Sequence, residues 1–236
     1  MRRKWVGLSI GLALLAGVLA WALCFRAPTV ASAEEVARKT AESVQALKSY
    51  YAREVGETTD EQGKRTAFDR AEWFRAPNLR RLEQTKPFRM ILVCDGKATR
   101  TYYPDYDLLL ISESQAGLTD TLLPSQRCRK NGTKLDSLPC VKRGARMSGR
   151  ERVDGHKCAV LEWEDKIPIA KVTMRIWVDE KMLLPRKQEV RFGSRLVHSG
   201  KLASLRVNER IPEDKFRLAV RAPKHTLRGN FEPESV

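Results

Sequence analysis

Residue types that often do chemistry in enzymes occur in this chain of 236 residues, but their spacing forms no recognisable catalytic set. The three histidines, His156, His198 and His225, lie far apart, and none belongs to a metal-spaced cluster. No nucleophile elbow, phosphate-binding loop or dinucleotide-binding glycine motif occurs. The sequence therefore predicts no catalytic residue, no metal site, no cofactor and no enzyme activity. A hydrolase that uses two of the many carboxylates remains the enzymatic alternative.

The first 33 residues have the layout of an export signal. Three basic residues (2–4) precede 21 uncharged residues (5–25), and residues 31–33 form a small-residue cleavage pattern. As a helix the uncharged segment would be about 31 Å long, which also suffices to span a bilayer. Residues 1–33 are thus either a cleaved signal peptide or a retained N-terminal membrane anchor. Both place the rest of the chain outside the cytoplasm, in the periplasm or cell envelope.

Four of the five cysteines follow this segment: Cys94, Cys128, Cys140 and Cys158. An even number of cysteines in an exported chain indicates disulfides. Cys128 and Cys140 bracket a polar, turn-rich segment, so a local bridge between them is the first expectation, and Cys94–Cys158 follows by elimination. Four cysteines allow three pairings, and the alternative is that they are small buried apolar residues.

The formal net charge of the whole chain is +15. Without the first 33 residues, 40 basic residues stand against 29 acidic ones, which leaves a net charge of +11. This charge favours an anionic membrane surface as a partner, whereas export argues against nucleic acid. The basic residues are scattered through the predicted strands, so a solvated basic face is the simpler interpretation.

The elements that would position a site are mostly strands. Strand-like segments separated by turn residues follow from residue 50 onward, and the last is predicted at 218–221. Proline at position 77 divides residues 73–83 into two strands joined at a corner. Apolar residues at helical spacing predict one helix over 34–53.

The predicted fold is mainly β with α. About ten short antiparallel strands in one sheet must curl, and the apolar stripe of the helix must be covered. We therefore expect a curved, unclosed antiparallel β-barrel, or half-barrel, with an N-terminal helix over a hydrophobic cavity.

Several short motifs occur in an order and spacing shared with one known family. They are Trp73 with Pro77-Asn78-Leu79, Ile91-Leu92-Val93 with Asp95-Gly96-Lys97, and Ile176-Trp177-Val178-Asp179. Together they resemble the outer-membrane lipoprotein carrier superfamily of LolA- and LolB-like proteins. The resemblance implies an unclosed barrel with a helical lid, in proteins that bind the acyl chains of lipoproteins and ferry them across the periplasm. Related proteins with the same fold sense envelope stress by binding anti-sigma factors.

One position departs from that family. In the well-studied carriers, the residue before the corner proline is an arginine that holds the lid closed by hydrogen bonds. Here that position is Ala76. Arg75 and Arg81 are near, but alternation along the strands places both on the opposite face, unless the bend at Pro77 changes the parity. The lid latch is therefore not expected to be conserved in this chain.

The sequence divides into residues 1–33, a half-barrel domain at 34–228 and a polar tail at 229–236. The predicted function is an exported protein that accommodates acyl chains of lipids or lipoproteins. The alternative is a membrane-tethered envelope sensor or scaffold that binds a protein partner, such as a membrane protein. The residues predicted to line the cavity, each of which could instead be plain core, are Val44, Leu47, Trp73, Leu79, Leu92, Met174 and Ile176.

Overall fold

The computed structural model describes residues 32–112, 123, 144–167, 170–220 and 222–229, without the side chains of residues 165–167 and 170. The chain divides into two compact units, Met1–Ser32 and Ala33–Val236, and the described structure lies almost entirely in the second. Among the described residues, no helix has both the length and the apolar character needed to cross a bilayer.

The single described α-helix, α1, spans Ala33–Gln45. Two acidic residues in its first turn, Glu34 and Glu35, favour the helix N-terminus, and a stripe of Val36, Thr40 and Val44 is buried. The predicted helix is confirmed, but its predicted end near residue 53 is wrong. A strand begins at Ser49 instead, because consecutive aromatic residues there favour an extended backbone.

Twelve strands form one sheet. They are β1 (Ser49–Thr59), β2 (Arg65–Arg75), β3 (Leu79–Lys86), β4 (Met90–Asp95), β5 (Thr99–Tyr103), β6 (Leu108–Ser112), β7 (Arg146–Val153), β8 (His156–Ile167), β9 (Ala170–Asp179), β10 (Pro185–Phe192), β11 (Arg195–Val207) and β12 (His225–Arg228). The strand order is β12-β6-β5-β4-β3-β2-β1-β11-β10-β9-β8-β7. Among the strand pairs of the described residues, only the β12–β6 pair is parallel.

Strands β7 and β12 end the described sheet and do not pair with each other, so the barrel is not closed. This is the open half-barrel with an N-terminal helix that the sequence predicts. The predicted last strand at 218–221 is wrong, since the final strand is β12 and a short 3-10 helix, Glu213–Phe216, precedes it.

The predicted corner at Pro77 is a tight hairpin turn, in which Arg75 pairs with Leu79. The turn packs against the next hairpin, where Gly96 has φ of +86°. A Cβ at Gly96 would lie 3.1 Å from the Cβ of Asn78, so the residue is glycine both for its conformation and for the close approach.

Alternation along the strands gives the sheet two faces. We call the face that packs against α1 the inner face, and the opposite one the outer face. Tyr50 and Phe74 lie on the inner face in a cluster with Val44 of α1. Their strand neighbours Tyr51 and Trp73 pair with each other on the outer face.

The outer face carries a smaller core under charged side chains. Trp177 is 1% exposed and packs with buried Val153, Cys158 and Val160. Its indole Nε1 donates a hydrogen bond of 2.8 Å to Glu151, and the Nζ of Lys187 lies 4.2 Å from the ring centroid. Basic residues scattered along the strands therefore cover apolar surface and pair with carboxylates.

The cysteines depart from the predicted pairing. Cys94 in β4 and Cys158 in β8 are buried thiols with no disulfide between them, so the predicted Cys94–Cys158 bridge is wrong. Six strands separate β4 from β8 in the sheet order. Cys128 and Cys140 lie outside the described residues, and their bridge remains a prediction.

Candidate functional site on the inner face

Helix α1 lies over the centre of the inner face. Val44 and Leu47 pack into a cluster whose other buried members come from β1, β2, β11 and two connecting segments: Tyr50, Ala52, Phe74, Leu123, Leu184 and Leu202. The helix also reaches the edge strand β7. It therefore crosses the mouth of the half-barrel, as a lid would.

A buried ion pair, hydrogen-bonded to a tyrosine, lies beside this cluster. The Nε of Arg80 donates a hydrogen bond of 2.6 Å to Oε1 of Glu72, and the Tyr50 hydroxyl donates another of 2.8 Å to the same oxygen. All three residues are 2% exposed. A pair held this deep is stable only with both partners present, because either charge alone would be buried without compensation.

A second buried ion pair lies further along the inner face. The Nε of Arg70 donates a hydrogen bond of 3.0 Å to Oε2 of Glu54. The facing glycines Gly56 and Gly200 leave room for this pair and for the Phe68 ring. A Cβ at Gly200 would lie 2.4 Å from Oε1 of Glu54 and 3.2 Å from the ring of Phe68. The glycines are thus required by close approach on the inner face.

His198 adjoins this pair. Its ring stacks on Phe68 at 5.3 Å between centroids, and its Nε2 lies 3.0 Å from the amide nitrogen of Gln188. Burial, with a smaller contribution from the Arg70 charge, lowers the pKa of His198 to about 4. The imidazole is therefore neutral near pH 7. With the amide as donor, Nε2 accepts and Nδ1 carries the proton.

At the same level of the sheet, one row crosses four strands. Trp163, Met174, Val190 and His198 are successive cross-strand partners from β8 to β11. The next row, Leu161, Ile176 and Gln188, runs parallel to it. Trp163 is only 5% exposed, and its indole Nε1 has no hydrogen-bond partner.

Five of the seven residues predicted to line a cavity lie in α1, in the segment that follows it, or on the inner face. Val44 and Leu47 belong to the helix cluster, whereas Leu92 packs with Leu82 and Met90. Met174 and Ile176 lie on the inner face of β9. This placement is compatible with a cavity lining and equally with core packing.

Trp73 and Leu79 lie on the outer face, so neither can line a cavity under α1. The Nζ of Lys215 lies 3.9 Å from the Trp73 ring centroid. Leu79 lines a different cavity of about 430 Å³, between the outer face and the segment around Phe216. The difference arises because alternation separates two faces without indicating which one the helix covers.

The segment 208–218, which we call the strap, is held on the outer face by the two arginines beside the corner. The NH1 of Arg81 donates to the carbonyl oxygens of Lys215 and Arg217 at 3.3 and 3.1 Å. Arg75 donates to the carbonyl oxygen of Ile211 at 3.3 Å. Their placement on the opposite face from the helix is as the strand parity predicts, and neither acts as a lid latch.

Ala76 nevertheless fastens the base of the helix, through its main chain. Its N–H donates a hydrogen bond of 2.8 Å to the carbonyl oxygen of Lys48, between α1 and β1. The Oδ1 of Asn208 accepts a hydrogen bond of 3.0 Å from the Lys48 N–H. The Ala76 backbone and the Asn208 side chain therefore fix the junction between α1 and β1.

Polar clusters elsewhere have structural roles. Asp179, 2% exposed, accepts hydrogen bonds from the N–H groups of Lys181 and Met182 and from Arg186, and so shapes the β9–β10 turn. His156 has a half-exposed side chain whose Nδ1 lies 2.9 Å from Asp179. Within the described ranges, no group of three or more metal-binding side chains converges.

Cys158 lies beside these residues but is not a reactive thiol. Burial, reinforced by the charge of Asp179, raises its pKa to about 11. The thiol is therefore protonated at physiological pH and cannot act as a nucleophile.

The fold is found among solved structures, although no protein-family model and no curated protein matches the sequence. An uncharacterized conserved protein from Thermus thermophilus is similar, with a TM-score of 0.54 and 14% identity over 82% of this chain and 99% of that chain. MucB in complex with MucA(peri) is similar with a TM-score of 0.50 and 19% identity. That match covers 79% of this chain but 60% of the MucB chain.

A LolA superfamily protein from Nitrosomonas europaea also matches, with a TM-score of 0.38 and 12% identity over 79% of this chain and 98% of that chain. At such identities a likeness concerns the fold alone. The open half-barrel predicted from the sequence is the fold of this chain.

Proposed function

We propose that this protein is an extracytoplasmic binding protein that accommodates acyl chains of lipids or lipoproteins on the inner face of its half-barrel. The observation that carries the proposal is the set of apolar, mostly buried inner-face residues on both sides of the central strands. Leu82, Met90 and Leu92 form one side. Met174 and Ile176 belong to the other.

Such a surface favours acyl chains because each methylene removed from water contributes about 0.8 kcal/mol. The helix α1 and the sheet come from different parts of the chain, and α1 crosses the open side of the half-barrel. A ligand can therefore be enclosed without any change in strand pairing. The absence of a side-chain latch at Ala76 distinguishes this lid from that of the lipoprotein carriers.

The proposed location outside the cytoplasm rests on the export signal at residues 1–33. The net positive charge of the remaining chain would assist docking on an anionic membrane surface. An enzymatic role is not proposed, because the described polar clusters shape turns or lie paired inside the sheet.

A second candidate function is binding of a protein partner, as a sensor or scaffold at the membrane. The observation that favours it is the similarity to MucB in its complex with MucA(peri). A retained N-terminal anchor would suit this role, because a tethered protein cannot ferry cargo between membranes.

Native mass spectrometry of the full-length protein after mild extraction tests the proposal. We expect lipid or an acylated protein to co-purify, and Met174→Trp to reduce that load by filling the inner face. Tyr106→Trp, at an exposed site, is the matched control and should retain the load. Protein that is empty under gentle conditions would contradict acyl binding. A stoichiometric partner without acyl chains would support the second candidate.

A further inference from the structure

The row of Trp163, Met174, Val190 and His198 combines an apolar floor with polar groups at both ends. Strands in a sheet are spaced by about 4.8 Å, so Trp163 and His198 stand roughly 14 Å apart along the sheet. Met174 and Val190 are half-buried between them. We call this row, which runs across the strands on the inner face, the trough.

At one end of this trough, the indole N–H of Trp163 lacks an acceptor. The residue is only 5% exposed, and its buried Nε1 makes no hydrogen bond. Buried polar groups without partners are rare, because such a group loses its hydrogen bonds to water without gaining one in the protein. By contrast, the equally buried indole of Trp177 on the outer face donates to Glu151.

At the other end, the polar groups are uncharged or already paired. His198 is hydrogen-bonded to Gln188 at 3.0 Å through Nε2 and packs on Phe68. The neighbouring Arg70 lies 2.9 Å from the carboxylate of Glu54 in a buried ion pair. Neither end of the trough presents an uncompensated positive charge from these residues, so a carboxylate or phosphate would lose its hydration without gaining a counter-charge.

We propose that this trough is the subsite for an uncharged polar group of the ligand, an ester or amide carbonyl, with Trp163 Nε1 as its donor. The inference rests on the proposed acyl-binding function and specifies its ligand class as neutral acyl esters or amides rather than fatty acid anions. The carbonyl-bearing part of the ligand lies between Trp163 and His198, and its acyl chain extends over Met174 and Ile176.

Binding of a monoacylglycerol and of the fatty acid of the same chain length, measured by titration calorimetry with the full-length protein, tests this assignment. The wild type should bind the neutral ester more tightly than the anion. Trp163→Phe keeps the ring but removes the donor, so it should weaken ester binding about two- to tenfold and leave binding of the fatty acid unchanged. Trp177→Phe removes an indole donor on the outer face and should change neither affinity.

Thermal unfolding of each variant checks that the fold is retained. Met174→Phe is a second test of the same subsite, because the larger side chain fills the trough and leaves the Trp163 donor in place. It should weaken both ligands. Ester binding by Trp163→Phe equal to that of the wild type, or tighter wild-type binding of the anion, would overturn the assignment and leave acyl binding intact. If neither amphiphile binds, the proposed function itself fails and this inference fails with it.

Discussion

At the scale of single residues, Arg80 is where the inner face is most sensitive to substitution. Arg80→Met leaves the carboxylate of Glu72, 2% exposed, without its cation, so we expect a loss of about 3–5 kcal/mol in the free energy of unfolding. Replacing both residues with methionine should restore most of this loss. Urea denaturation measures the difference.

The control is Arg53→Met, which breaks a solvent-exposed ion pair with Asp69 at 2.6 Å. Exposed pairs contribute less than about 1 kcal/mol, so this variant should unfold almost as the wild type does. A comparable loss in Arg53→Met and Arg80→Met would show that burial of the Glu72–Arg80 pair is not what makes it important.

A second prediction at this scale concerns acid. The native pKa of His198 is about 4, below its ordinary value of 6.5, so between these limits the unfolded chain takes up a proton that the native protein does not. The free energy of unfolding should therefore fall as pH falls from 6.5 to 5, by at most about 1.4 kcal/mol per pH unit. Denaturant titrations at several pH values measure the slope.

His198→Gln should flatten this slope, whereas the exposed His225→Gln should preserve it. The pH range from 6.5 to 5 separates the titration of His198 from that of the carboxylates. Burial alone would raise the pKa of Asp95, but hydrogen bonds from the Ala98 N–H and from Arg100 outweigh it and hold that pKa at about 2. Its contribution is lost only at lower pH. An unchanged slope in His198→Gln would rule out this histidine as the source.

At the scale of elements, the strap depends on Arg81. Arg81→Met removes both hydrogen bonds to the carbonyl oxygens of the strap. Amide hydrogen exchange over residues 209–218 should therefore accelerate about five- to tenfold, while strands β1–β4 stay protected. Arg150→Met, which breaks an exposed pair with Glu180, is the control and should leave the strap unchanged. Faster exchange throughout the sheet would indicate a global effect instead.

The sequence predicted most elements because alternation and turn residues are local signals. Asp95-Gly96 and Asp154-Gly155, dipeptides that favour tight turns, lie in hairpins of the structure. The end of α1 and the position of β12 were missed, since both depend on which neighbour a segment packs against. β12 is fully exposed and pairs with β6 across more than a hundred residues.

The candidate site was less predictable for a related reason. Glu54, Arg70, Glu72 and Arg80 were interpreted as solvated charges, because strands with alternating charge usually face water. Their inward direction follows from sharing a face with Phe68, Phe74 and Tyr50, so the parity of these aromatic residues was the signal that could have located the ion pairs. Trp73, predicted to line the cavity, lies on the outer face, because alternation does not indicate which face the helix covers.

At the scale of the whole molecule, the fold combines a lid fixed at its base with a sheet that ends in two unpaired edges. Ala76 and Asn208 hold the Lys48 junction, whereas β7 and β12 limit the described sheet. A closed barrel has a circumference set by its strand number and stagger. This sheet is open, so the gap between its two edge strands can widen or narrow while every strand keeps its partners. For the acyl-binding function proposed above, a change in this gap would let ligands of different bulk share one inner surface.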